Sequence, residues 1–183
     1  MNEHRLKSLL EITKEIIYQN EELRKAKKED FNIFEILKVE RYEEHTHSAF
    51  IAELLKPDGS HLLGNVFLLR FLESIQFEGD FNTEDYEVKI EQYIGAVNRG
   101  TEDLNFVDAS GGRIDIFLKD NRGNCICIEN KIYAGDQKFQ LLRYSNYQPD
   151  KSHLYYLALF GDEATEYSTN NTLRAGENYY TLS

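Results

Sequence analysis

An α/β fold is predicted, with a helical N-terminal region beside a β-sheet. Three observations predict it. Apolar residues recur at helical spacing through residues 1–78, β-rich runs separated by turns occupy 84–183, and a helix with an N-terminal cap stands between two of those runs. The whole chain, 1–183, is read as a single domain, since one core usually fills 100 to 200 residues. Hydrophobic residues make up 41% and there are only 2 prolines, so a packed interior is expected and disorder is not.

From about His4 to Lys28, Leu6, Leu9, Leu10, Ile16, Ile17 and Leu23 recur among charges, the pattern of a long amphipathic helix. The cations Arg24, Lys25, Lys27 and Lys28 suit its C-terminus electrostatically; a phosphate contact is the other reading. A short apolar piece, Phe31–Leu37, leads to a second helix over Glu43–Leu55 that ends at Pro57-Asp58-Gly59. A third helix is expected over Leu62–Phe77. After Gly79 the period changes to that of a strand, Tyr86–Ile94, and a polar loop runs from Gly95 to about Gly112. Gly135-Asp136 is expected to cap a helix from Gln137 to about Tyr147. The run His153–Leu159 reads as a further strand. The last run, Tyr179–Ser183, reads as a strand without a successor, as a shortened domain would show.

No apolar run is long enough to span a bilayer, and the charged first thirty residues are unlike a signal peptide, so a cytoplasmic protein is expected. Cys125 and Cys127, one residue apart in a strand, are badly placed to bridge each other, in keeping with a reducing compartment. With 21 Lys+Arg against 32 Asp+Glu the net charge is −11, the reverse of a phosphate-binding footprint. Carboxylates gathered around a divalent ion would also make a chain acidic, however, while the ion itself meets the phosphate.

The informative stretch is Arg113–Lys119, a turn at Asp120–Asn124, and Cys125–Lys131. A three-residue loop Asn121-Arg122-Gly123 with Gly123 left-handed makes an antiparallel hairpin in which Asp120 faces Asn124. Asp115 then lies opposite Glu129, Arg113 opposite Lys131 and Phe117 opposite Cys127, all on one face. Ile114, Ile116, Leu118, Ile126 and Ile128 fall on the other, oily face. Two facing carboxylates within about 5 Å repel each other unless a cation intervenes. Lys131 is one candidate, and a hard divalent ion held by carboxylate oxygens, a backbone carbonyl and waters is another. An ion there could activate water against a phosphodiester while lysine stabilises developing negative charge.

Glu-x-Lys alone reads equally as a surface ion pair. The conjunction is more specific: Gly112-Arg113-Ile114-Asp115-Ile116, then Ile128-Glu129-Asn130-Lys131-Ile132, then Gly135-Asp136-Gln137, Gln140-Leu141 and Tyr144. It resembles the PD-(D/E)XK nuclease superfamily, in the branch with an Ile-Glu-Asn-Lys-Ile strand and an Asp-Gln helix start. Glu44, His47-Ser48, Leu54-Leu55, Pro57, Ser60-His61 and Gly64 extend the resemblance, which spans about Phe31 to Leu159. It implies a restriction-endonuclease-like fold, a four-stranded mixed central sheet flanked by helices, and DNA cleavage dependent on Mg²⁺, with Mn²⁺ as a substitute. It also implies metal ligation by Asp115 and Glu129, a catalytic Lys131, and a helical carboxylate for which Glu44 is the positional match. Asn130, between the two, joins the candidate ligands. Where the superfamily's first motif is often Pro-Asp, this chain has Ile114-Asp115.

Gln137, Gln140, Leu141 and Tyr144 share a helical stripe facing the sheet. Gln137, in the first turn after the catalytic strand, is preferred as the accessory residue, beside the ion or a phosphate. Three rival readings stand beside these. His45, His47 and His61 could bind zinc, although residues two apart on a helix point about 200° from each other. The twelve tyrosines, among them Tyr155-Tyr156 and Tyr179-Tyr180, could stack on unpaired bases, although core packing accounts for such pairs more simply. The domain as a whole could also be a catalytically inactive relative binding nucleic acid or a protein partner, or a structural part of a longer chain.

Overall fold

The computed structural model describes residues 3–27, 43–100 and 108–183, with the backbone alone for 3–6, 21, 23–27 and 43–45. The chain divides into two compact units, Met1–Glu40 and Arg41–Ser183. In the first, α1 (Glu3–Lys27) is one unbroken helix, as its periodicity and lack of breakers predict. Its polar side chains bond within the helix, Thr13 Oγ1 to the Leu9 carbonyl at 2.8 Å and Gln19 Nε2 to Glu15 Oε1 at 3.0 Å. The apolar piece Phe31–Leu37 lies outside the described residues. No helix among the described residues is long and apolar enough to cross a membrane.

The second unit opens with a π-helical turn, Glu43–Ser48, running directly into α2 (Ala49–Leu55). The helix stops where Lys56 turns extended, the conformation a following Pro57 enforces. Glu53 then ties down the next turn by accepting the Ser60 amide (2.7 Å) and Lys56 Nζ (3.2 Å), contacts that hold its carboxyl down at about 2. The third helix, α3 (Val66–Ser74), is shorter than the Leu62–Phe77 expected. Leu62 and Gly64 before it and Gln76 after it adopt left-handed backbone, which no helix interior accommodates.

Five strands follow in spatial order β1 (Tyr86–Tyr93), β2 (Arg113–Asp120), β3 (Cys125–Lys131), β4 (Ser152–Ala158) and β5 (Tyr180–Leu182). The first three pair antiparallel and the last three parallel, so the sheet is mixed. The parallel step between β3 and β4 requires a crossover, which α4 (Gln140–Ser145) supplies. A last short helix, α5 (Glu166–Thr169), precedes the edge strand β5.

The sheet is buried on both faces. Ile116, Leu118, Ile126, Ile128, Val88 and Tyr155 pack against Ala52 and Leu55 of α2 and Leu68 of α3. On the other face Phe117, Cys125, Cys127, Leu154 and Tyr156 pack against Leu141 and Tyr144 of α4 and against Tyr179. Tyr155, Tyr156 and Tyr179 are thus core residues. The expected polar face exists only at one end of the strands, because α4 covers the rest. Both cysteines are free and buried, Cys127 deeply enough that its thiol is pushed up to about 12.

The β2–β3 hairpin has the predicted register, with Phe117 facing Cys127 and Leu118 facing Ile126, and Gly123 left-handed at φ 86°. Asp120 organises its turn. Oδ1 accepts the amides of Arg122 (2.9 Å) and Asn124 (2.7 Å), and Oδ2 accepts the Asn82 amide (2.8 Å) from the segment entering β1.

Candidate active site

The regular β2–β3 ladder ends at Ile116–Ile128. One step further on, the Asn130 amide donates to Asp115 Oδ2 at 2.8 Å, so a side chain takes the place of the next main-chain acceptor. On the opposite flank of β2, Glu91 is left-handed (φ 50°) and the β1–β2 pairing skips it. Released from β3 beyond Ile116 and unpaired with β1 at Asp115 alone, β2 turns, and Ile114 joins the core under α4 rather than the oily face it was expected to share with Ile116. This irregularity delivers Asp115 to the end of β3 that carries Glu129 and Lys131.

Period two on β3 puts Glu129 and Lys131 on the α4 side and Asn130 on the other. Lys131, the last residue of the strand, folds back so that Nζ lies 2.7 Å from Glu129 Oε1. Gln140, the first residue of α4, donates Nε2 to the same Oε1 at 2.6 Å and to Tyr144 Oη at 3.3 Å. Tyr144 in turn donates its hydroxyl to the Arg113 carbonyl. One oxygen of a fully buried carboxylate therefore takes two donors, while Glu129 Oε2 is buried without a hydrogen-bond partner among the described residues. Asn130 sends its amide the other way, donating Nδ2 to Ser48 Oγ at 3.0 Å on the π-helical turn.

Burial pushes the Glu129 carboxyl well above its ordinary range, Asp115 adds to the push, and Lys131 only partly offsets it. For Lys131 burial works against the charge, but the adjacent Glu129 carboxylate outweighs it and the ammonium is held above its usual range. Burial and the Glu129 charge likewise raise the Tyr144 phenol, which stays a proton donor.

Asp115, Glu129, Lys131, Gln137, Gln140 and Tyr144 line one cleft of about 440 Å³. Gln137 lies on its exposed rim, in irregular chain rather than in a helix, and reaches Gln140 through its main-chain amide (3.2 Å to Oε1). The helix begins three residues later than expected because Asp136 does not cap it. That carboxylate accepts the Thr165 amide (2.8 Å), the Thr165 hydroxyl (2.7 Å) and the Tyr156 hydroxyl (3.1 Å). Gln140 is the amide that touches Glu129. Its i, i+4 relation to Tyr144 on the inward stripe was the signal available for it in the sequence.

Arg143 also lines the cleft; it is buried and donates to the carbonyls of Phe139 and Gly111, both at 3.2 Å. Gly112 makes this approach feasible, since a Cβ there would stand 3.1 Å from the Arg143 guanidinium and from the Tyr144 ring.

The cleft's donor set fits a hard divalent cation: two carboxylates line it, one with a buried oxygen that nothing among the described residues satisfies. Among the described residues no three His, Cys, Asp or Glu side chains gather as a ligand set. The Glu44 and His45 side chains lie outside the described residues. Glu44 belongs to the turn that packs against β1, β2 and β3 and bonds Asn130 through Ser48. His61 is a packing residue, accepting the Leu63 amide at Nδ1 (3.0 Å) and meeting Phe67 edge to face.

A family model described as the PD-(D/E)XK nuclease superfamily matches residues 31–182, most of the chain. The chain belongs to the PD-(D/E)XK nuclease superfamily. As a PD-(D/E)XK protein it has the restriction-endonuclease-like α/β arrangement its motifs imply, with five strands where four were expected. Membership supports an enzyme of the nuclease kind, acting on nucleic acid. No match is found among curated proteins or among solved structures. The PD-(D/E)XK match starts after α1, which leaves that helix outside the family-wide part of the chain.

Proposed function

We propose that this cleft hydrolyses DNA phosphodiester bonds in a reaction that depends on Mg²⁺, with Mn²⁺ able to replace it. The observation that carries the reading is Glu129: a carboxylate wholly out of solvent, next to a second carboxylate, with one oxygen doubly hydrogen-bonded and the other unsatisfied. Such an arrangement is costly for a protein to maintain unless a cation completes it. Asp115 and Glu129 would hold the ion, joined by the main-chain carbonyl of Asn130, whose side chain is committed to Ser48, and by Glu44 from the helical turn. When bound, the ion supplies Lewis acidity for the phosphate and lowers the pKa of water.

The protein's own groups have separable tasks. Gln140 and Lys131 fix Glu129 Oε1, leaving Oε2 as the oxygen that would meet the ion. Lys131 also brings a positive charge to the cleft, where it stabilises the negative charge that builds on the phosphate oxygens. Tyr144 locks the Gln140 amide and the Arg113 carbonyl into one chain of hydrogen bonds, so that Asp115, two residues on, is held relative to Glu129. Gln137 serves as an accessory group at the rim.

Plasmid and linear DNA incubated with the protein and Mg²⁺ or Mn²⁺, beside Glu129→Ala and Lys131→Ala, tests the proposal. Cleavage is expected to fall by at least about a hundredfold in each variant, with the circular dichroism spectrum retained. Equal cleavage by all three proteins would remove these residues from the reaction. A folded wild-type protein that neither cleaves nor binds Mg²⁺ would return the inactive binding module.

A further inference from the structure

Because β1, β3 and β4 run parallel to one another and β2 runs against them, one end of the sheet collects the ends of β1, β3 and β4 and the start of β2. Lys131 and Arg113 lie there, and so does the cleft. The same end carries exposed aromatic rings. Tyr93, the last residue of β1, is 59% exposed and forms part of the cleft wall, with Val97 beside it in the lining. Tyr133, two residues past Lys131, is 59% exposed, and Phe160, two residues past the end of β4, is 81% exposed. Of the tyrosines elsewhere in the sheet layers, Tyr86, Tyr144, Tyr155, Tyr156 and Tyr179 are buried, and Tyr180, which opens the edge strand β5 at the opposite end, is 46% exposed but lies against the Tyr155 ring. Single exposed apolar residues need no explanation, but aromatic side chains concentrated where a catalytic cleft opens mark a contact surface.

Charge narrows what that surface meets. A protein that grips duplex DNA does so chiefly by neutralising rows of phosphates. Among the described residues the basic side chains lining the cleft are Arg113, Lys131 and Arg143. Lys131 is engaged by Glu129, Arg143 by two carbonyls, and Arg113 faces Glu91 at 4.0 Å. With a chain charge of −11 and two of these three cations engaged within the protein, the described part of the cleft offers few free charges for a row of phosphates. Stacking on aromatic faces is the alternative source, and it demands bases already out of the double helix.

We infer that the aromatic fringe at this end of the sheet, centred on Tyr93, is a stacking platform for unpaired bases, and that the substrate is single-stranded DNA or an unpaired end rather than intact duplex. The inference rests on the nuclease reading above and specifies its substrate. Tyr93 receives the base next to the phosphate in the cleft, and Tyr133 and Phe160 take bases on the β3–β4 side.

The test measures binding of a fluorescein-labelled 20-nucleotide single strand, and of the corresponding duplex, to the full chain carrying Lys131→Ala in Mg²⁺. A strand containing 2-aminopurine reports stacking directly. The single strand is expected to bind at least about tenfold tighter than the duplex, with quenching of 2-aminopurine. Tyr93→Leu should weaken single-strand binding about tenfold and abolish the quenching, and Tyr93→Phe or Tyr93→Trp should restore both. Phe160→Ala provides a second, independent loss at a position too exposed to threaten the fold. Duplex bound as tightly as single strand, or Tyr93→Leu indistinguishable from Tyr93→Phe, overturns the platform even if the wild type cleaves duplex well. If neither form is bound or cleaved, the nuclease reading falls and the platform with it.

Discussion

In the proposed reaction Glu129 is the residue on which the local chemistry turns, and what it needs is orientation. Gln140 provides it by a 2.6 Å bond to Oε1 from the first turn of a helix anchored in the core. Residues that orient a metal-binding carboxylate typically influence activity by ten- to a hundredfold. Gln140→Ala is therefore expected to lower the cleavage rate roughly ten- to a hundredfold with little change in melting temperature, and Gln137→Ala to stay within about threefold of wild type. Steady-state cleavage assays on the two variants distinguish them. The sequence placed both glutamines on one stripe but could not rank them, because the rank depends on where the helix starts. That start is decided by Asp136 binding Thr165 and Tyr156, partners well over a dozen residues away whose arrival no local pattern announces.

At the level of the elements, the β2–β3 hairpin is held by Asp120. Burial alone would push this carboxyl up, but the amides of Asn82, Asn124 and Arg122 more than offset it and keep it below its ordinary range. The folded state therefore resists a proton that the unfolded chain accepts, so stability is fully present above the ordinary carboxylate range and is lost as pH falls through the folded value. Urea unfolding followed between about pH 6 and pH 3 should show a falling midpoint, and Asp120→Asn should flatten this dependence. Asp120→Ala leaves three partly buried donors without their acceptor and should cost about 1 kcal/mol or more. Much of this element was legible beforehand: period-two alternation and a Gly123 loop fix the register without outside help. The turn of β2 at Asp115 was not. It arises from Glu91 on a neighbouring strand and from a carboxylate replacing a carbonyl, and both are visible only once three strands are assembled. The π-helical turn before α2 was equally hidden, since its residues follow a helical pattern of either pitch.

For the whole molecule, the net charge of −11 and the three cleft cations set how binding responds to salt. Each neutralised phosphate on a single strand contributes a slope of roughly −0.7 to the logarithmic dependence of affinity on salt. With at most these three engaged, the slope is expected to be no steeper than about −2, measured by anisotropy titrations at several NaCl concentrations. A steeper value would mean that basic residues beyond the cleft join the contact. The alternation of helical and strand-like periods made the α/β class legible, since the class depends only on local pattern. Burial of both sheet faces was less so, because the helix that covers the second face is short and its inward residues include polar Gln140 and Arg143.

The bond from Asn130 to Ser48 has a consequence that reaches past the cleft. It fastens the side chain of the one residue lying between Glu129 and Lys131 to a hydroxyl more than eighty residues earlier in the chain, on the reverse side of the sheet. An uncharged serine with no surface in the cleft thereby becomes a lever on it. Sequence drift at position 48 would be felt as slack in the strand that carries the proposed reactive pair, so tolerance to change there should be governed by catalysis rather than by packing.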